Sequence, residues 1–289
     1  MLQRKVPSHD SKARPKTFLG LSLAGGKTDK SCLVVLDFYK DQNKIFLTKI
    51  HEKIKNEDAL SSDLKLFELI NQHLDRTEYL ALDVPWELPS CLRCELSCPG
   101  YENCKEPHIS WMWDYYYNHR VKKRPQKVFT PYTQRCVEFY LHTELEEKFT
   151  LSHAMGANAA PLMARAKFLV KRLREVSPVS LIEVYPKLSV WRMGTTLGAL
   201  KSNLRAYKHA SYGEQARRSI LHSMLQKNIV FIYEQDKKTL IENGHSFDAF
   251  LLALTAYLKF QNLTEQRPTG FPASEPWIEF PQKDFKFPF

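Results

Sequence analysis

The chain has 289 residues, 43% of them apolar and 26% charged; that is enough to bury a sizeable core and excludes an intrinsically disordered protein. Lysine and arginine outnumber aspartate and glutamate by 42 to 32, and the net charge of +10 points to a polyanionic partner, nucleic acid ahead of an anionic membrane surface. The apolar stretch 249–258 is far shorter than the roughly 20 residues of a membrane-spanning helix, and the basic start 1–16 lacks the layout of a secretory signal, so a cytoplasmic protein with no membrane partner is expected.

Residues 1–16 read as a disordered basic arm, and 17–289 as one domain interrupted by an insertion at 86–145. Strands at 17–23, 31–38 and 44–50, separated by Gly25-Gly26 and by residues 40–43, suit an antiparallel meander. Residues 57–74 switch to the helical period, with Leu60, Leu64, Phe67, Ile70 and Leu74 on one face. Short apolar strands at 79–84 and 179–184 stop at Pro85 and Pro186, and the helical stretch 162–176 between them implies a parallel pair. Helices at 212–226 and 246–260, a β-like piece at 229–233 and a proline-rich tail from 267 complete the α/β pattern, without internal repeats.

The insertion holds five of the six cysteines, and Cys91, Cys94, Cys98 and Cys104 fall within one short loop around Pro99 and Gly100. Four clustered thiolates satisfy the tetrahedral preference of a structural zinc, with an iron–sulfur cluster as the alternative metal reading and two local disulfides as the non-metal one. His108 stands close enough to replace one thiol, though it reads more simply as a surface histidine. Trp111, Trp113, Tyr115, Tyr116 and Tyr117 then precede a basic run with Arg120, Lys122, Lys123, Arg124 and Lys127. Aromatics that stack on bases beside cations that contact phosphates fit a nucleic-acid binder; the same aromatics would equally form the small core of a metal-stapled insertion. Two further basic stretches, 165–174 and 201–218, extend the positive charge.

Asp83 and Glu183 each end an otherwise apolar strand. Buried carboxylates need a partner or a metal, and ligands of α/β sheets collect at the carboxyl ends of parallel strands, so both are candidate site residues; an internal salt bridge to an arginine is the alternative. Asp248 sits just inside a helix that Ser246 would cap, which explains it by the helix dipole or else as a further carboxylate facing Asp83. Gly25-Gly26-Lys27-Thr28 has Leu21 where a phosphate loop needs its first glycine, and reads as a β-turn. No G-x-S-x-G, H-E-x-x-H or G-x-G-x-x-G motif supports a serine hydrolase, a zincin or a dinucleotide-binding domain.

Three strands, a helix, a strand ending Leu82-Asp83-Val84-Pro85, a strand ending Ile182-Glu183-Val184-Tyr185-Pro186 and a late helix opening Phe247-Asp248-Ala249 together resemble the family catalogued as domain of unknown function 429, expected to be nucleases of ribonuclease-H-like fold. Gly20-Leu21-Ser22-Leu23-Ala24 and Glu275-Pro276-Trp277-Ile278 extend the resemblance over roughly 17–281. It implies a mixed sheet flanked by helices, with Asp83 and Asp248 holding one or two Mg²⁺ or Mn²⁺ ions and Glu183 nearby. The departure is Ser22, which stands where members of the family carry a first-strand aspartate; a hydroxyl there weakens a hard-cation site. His245, three residues before Asp248, is either a proton carrier or a surface residue at the helix start. The expected function is a metal-dependent nuclease or phosphodiester-processing enzyme acting on DNA or RNA. The alternative is a catalytically degenerate nucleic-acid-binding or assembly protein that keeps the fold.

Overall fold

The computed structural model describes residues 14–25, 30–56, 60–118, 128–145, 147, 154–156 and 159–288. The expected basic arm through residue 13, the turn at 26–29 and the basic run 119–127 lie outside them.

Strands β1 (Lys16–Ser22), β2 (Cys32–Tyr39) and β3 (Lys44–His51) form the meander read from the sequence. Helix α1 (Ser62–Asn71) starts later than its periodicity predicts because the Ser61 hydroxyl accepts the Leu64 amide and caps it there. β4 (Thr77–Leu82) follows. The insertion contributes α2 (Ser90–Arg93), α3 (Pro107–Asn118) and α4 (Cys136–Glu144). α5 (Ala160–Val176) leads to β5 (Ser180–Val184). Pro186 not only ends that strand but opens α6 (Pro186–Thr196), since proline's missing donor costs nothing in a first turn. Then come α7 (Lys201–Ala206), α8 (Gly213–Gln226), α9 (Glu234–Glu242), α10 (Gly244–Phe260) and the two-residue β6 (Ile278–Glu279). The expected β-like piece at 229–233 is no strand: Phe231 makes one isolated parallel bridge to Phe46 on the outer edge of β3 before the chain turns into α9.

The six strands form one mixed sheet in the order β3-β2-β1-β4-β5-β6. β2 runs antiparallel to both neighbours, whereas β1, β4, β5 and β6 are parallel. Central strands buried on both faces carry near-continuous apolar runs, and their alternation sorts side chains into two cores. Phe18, Val34, Leu36 and Ala81 face one core with α10, while Leu19, Leu21, Leu33, Val35, Leu80 and Leu82 face the other with Leu66 and Ile70 of α1 and Leu169, Val170 and Leu173 of α5.

α10 is buried from Ser246 through Leu258 and is apolar on nearly every side, as a helix enclosed between a sheet and other helices must be. Its outer side is covered by residues of α6 to α9, among them Met193, Leu204, Ile220, Met224 and Leu240. A third core joins the insertion to the tail: Trp111, Met112, Tyr115 and Tyr116 of α3 pack with Val137, Phe139 and Leu141 of α4 and with Phe271, Trp277 and Phe280. Among the described residues, no helix is long and apolar enough to cross a membrane.

β1 and α10 approach so closely that a Cβ at Gly20 would lie 2.0 Å from the Ala249 carbonyl oxygen and 2.5 Å from the Ala253 nitrogen. Both obstacles are helix backbone, which cannot rotate aside. Gly20→Ala should therefore destabilise the protein by about 3 kcal/mol or more, read as a large fall in the urea midpoint of the far-ultraviolet circular dichroism transition.

Candidate active site

Ser22 ends β1, and Leu21 pairs with Leu82, so the next step along both parallel strands brings Ser22 beside Asp83. By the same alternation that turns Phe18 and Ala81 towards α10, Ser22 and Asp83 turn to that face. They meet the first turn of α10, which carries His245 and Asp248. Asn243, not the expected Ser246, caps this helix: its side-chain oxygen accepts from the His245 amide at 3.0 Å and the Ser246 amide at 3.4 Å. Ser246 is instead buried and its hydroxyl donates to Cys32 Sγ at 3.4 Å.

The Ser22 hydroxyl donates to Asp83 Oδ2 at 2.7 Å, and the Leu23 amide donates to Asp83 Oδ1 at 3.0 Å. Burial, and then the neighbouring Asp248 charge, push the Asp83 carboxyl up to about 6, so Asp83 is fully ionised only above that pH. Ser22 also lies 3.3 Å from His245 Nδ1. Because the single hydroxyl proton goes to Asp83, this contact has Nδ1–H of His245 donating to Ser22.

Asp248 is 1% exposed. Its Oδ1 accepts the Tyr207 hydroxyl at 3.0 Å, and its Oδ2 is 2.5 Å from the Lys208 ammonium. Burial opposes the charge on Lys208, but Asp248 and, further off, Asp83 hold it above the usual lysine range. Tyr185 and Tyr207 are both raised by burial and then by the Asp248 charge, and Lys187 is lowered by burial and then by Lys208. The site thus consists of two facing carboxylates, a bridging serine, a histidine and a lysine. Two aspartates and a hydroxyl are hard oxygen donors that suit Mg²⁺ or Mn²⁺, which commonly keeps several waters and takes only one or two carboxylates. Among the described residues no group of three or more His, Cys, Asp or Glu side chains is arranged to hold a metal ion.

Glu183 is not in this group. Ile182 and Val184 face the α10 core, so the residue between them points to the opposite side. There both of its oxygens are taken, each at 2.7 Å, by the guanidinium of Arg135, which is 1% exposed and also bonds Glu138 Oε1 at 2.9 Å. The salt-bridge alternative describes its placement. Glu138 accepts from the Ala154 amide as well, and Glu275 accepts from Ser90 and from the Cys136 amide, so buried ions clasp the insertion to β5 and the tail.

All six cysteines are free thiols. Cys91 lies in α2 and Cys94 caps its end, with Cys98 and Cys104 in the loop beyond; the Cys91 thiol is raised by burial and then by the other three nearby. His108 is buried within α3 and not on the surface, because that helix packs its first turn inward. Of the aromatic group, Trp111, Tyr115 and Tyr116 are core, while Tyr117 is exposed. Arg120, Lys122, Lys123, Arg124 and Lys127 lie outside the described residues. In the two other basic stretches, Arg165 pairs with Asp63 and Arg205 with Glu147.

Sequence reading missed Tyr207 and Lys208 as site residues and Arg135 as a buried anchor. The first two lie inside the basic stretch 201–218, whose composition marks charge but not which lysine turns inward. For Arg135 no local signal exists.

A family model described as protein of unknown function (DUF429) matches residues 39–269, a span that includes Asp83, Glu183, Lys208, His245 and Asp248 and begins after Ser22. No curated protein and no solved structure matches the chain. Removing the guanidinium with Arg135→Met would leave Glu183 and Glu138 buried without their cation. A loss of about 3–5 kcal/mol is expected by chemical denaturation, and an unchanged midpoint would show that the clasp contributes little.

Proposed function

We propose that this chain, which belongs to the DUF429 family, is a divalent-metal-dependent nuclease of ribonuclease-H-like architecture that hydrolyses phosphodiester bonds in DNA or RNA. The observation that carries this reading is Asp83 at the carboxyl end of a parallel strand, where ligands of α/β sheets collect, linked through Ser22 to the start of α10, which carries His245 and Asp248. The meander, the parallel strands beyond it and the helix lying across β1 and β4 agree with the architecture that the family resemblance implies. The net charge of +10 suits a polyanionic substrate.

Asp83 and Asp248 would hold Mg²⁺ or Mn²⁺, which when bound supplies Lewis acidity at the phosphodiester. Ser22 orients the Asp83 carboxylate and ties it to His245. In the reaction a water oxygen bonds to phosphorus while the bond to the leaving ester oxygen breaks; the water gives up a proton and the leaving oxygen gains one. His245, 3.3 Å from Ser22, would carry that proton.

Cys91, Cys94, Cys98 and Cys104 would hold a structural zinc in preference to an iron–sulfur cluster. Residues 92–99 are all exposed, so this loop has no apolar core of its own, and four thiols of matching chemistry are what it offers in exchange. Arg120, Lys122, Lys123, Arg124 and Lys127 would add phosphate contacts. Elemental analysis of the purified protein should find one zinc per chain, absent from Cys94→Ser; a zinc-free protein of full stability would remove this part of the reading.

The second reading, a nucleic-acid-binding protein that has lost turnover, is favoured by Ser22 and by the Lys208 ammonium on Asp248. Cleavage of labelled single-stranded, duplex, hybrid and branched DNA and RNA in Mn²⁺ and Mg²⁺ separates the two. Wild type should cut at least one of these, and Asp83→Asn should lower the rate by about a hundredfold or more. Salt-dependent binding with no cutting by either protein would transfer the case to the second reading.

A further inference from the structure

Lys208 is not a surface lysine that happens to lie near a carboxylate. Its loop between α7 and α8 is fixed by Arg217, which is buried and donates to the carbonyls of Tyr207 at 2.6 Å, Ile241 at 2.7 Å and Glu242 at 3.3 Å. Gly213 lets that guanidinium in, because a Cβ there would lie 2.8 Å from Arg217 Nη1 and 2.9 Å from the Tyr207 oxygen. Three carbonyls gathered on one cation thus pin the backbone of the residue that precedes Lys208, and Tyr207 itself is tied to Asp248 through its hydroxyl. The ammonium is delivered to Asp248 Oδ2 by a constructed support and is close enough to Asp83 to feel its charge.

We propose that Lys208 is the resident second cation of the site, so that the Asp83–Asp248 pair takes one divalent ion and not two. This rests on the reading of that pair as a metal site. The two carboxylates bring two negative charges, and Lys208 cancels one of them. A single divalent ion then leaves one net positive charge, which the one negative charge of a phosphodiester neutralises. A second divalent ion would bring two more positive charges into a partly buried space where the described residues offer no further carboxylate, since Ser22 is neutral and Glu183 is bound by Arg135 on the other side of the sheet. The Lys208 side chain is 41% exposed while its ammonium sits on Asp248, where it would also meet an incoming phosphate.

The test is Mn²⁺ binding by the zinc-loaded full chain, followed by electron paramagnetic resonance of free Mn²⁺, in wild type, Asp83→Asn, Lys208→Met and Lys208→Arg, with circular dichroism to verify folding. Wild type should bind one ion that Asp83→Asn loses. Lys208→Met should bind a second ion, or bind the first about tenfold more tightly or better, because a competing cation has gone; Lys208→Arg, which keeps the charge, should stay at one. If Lys208→Met does not fold, Lys208→Gln takes its place. Two Asp83-dependent ions in wild type would overturn the one-ion inference and leave the metal site standing, as would a Lys208→Met curve identical to wild type. No Asp83-dependent ion in any variant would remove the metal site and the inference with it.

Discussion

The close packing of α10 against β1 is the constraint on which the rest of the molecule depends. Gly20 lets the helix backbone touch the strand, and once the helix is enclosed on every side each polar group along it needs a partner inside the protein. Thr255 finds Ser189 and the Leu251 carbonyl, and Ser246 finds Cys32. Asp248 is the costly one, because a buried carboxylate is tolerated only when paired. Tyr207 and Lys208 meet that demand, and Arg217 and Gly213 exist in their present form to hold those two in place. The contacts to this buried charge thus come from the loop before α8, whose Tyr207 carbonyl Arg217 holds together with those of Ile241 and Glu242.

Two carboxylates that look alike in sequence have opposite fates for a simple geometric reason. Asp83 and Glu183 both end apolar strands at the same end of the sheet, yet alternation sends one towards α10 and the other away from it. On its side Asp83 meets a serine and a second carboxylate, which raise a site of negative charge. On the other, Glu183 meets Arg135 and becomes the anchor of the insertion. The segment 86–145 is therefore attached through buried ion pairs and an aromatic core, and residues 92–99 of its cysteine loop are exposed.

The strands and long helices were legible in the sequence because their apolar periods are local properties: β1, β2, β3 and β5 and helices α5, α8 and α10 lie within a residue or two of their expected limits. Asp83 and Glu183 were marked by a charge at the end of an apolar strand, whereas Ser22 and His245 were singled out only by the family resemblance and Asp248 read locally as a helix-start residue. The short helices α6, α7 and α9 were not legible, since two or three turns with scattered charge carry too weak a period and owe their existence to packing, α6 and α9 on α10 and α7 on α6 and α8.

By itself, then, the sequence determined an α/β chain with a net positive charge, a cysteine-rich segment and a set of carboxylates at strand and helix ends. Which of those carboxylates face each other was decided only by tertiary structure, because the face that a strand turns to a helix depends on which neighbours it pairs with. The same holds for Lys208 and Arg135. Their side chains are long and their local surroundings polar, so nothing within reach along the chain says that one ends on Asp248 and the other on Glu183; distant segments had to be brought together before either charge had a partner.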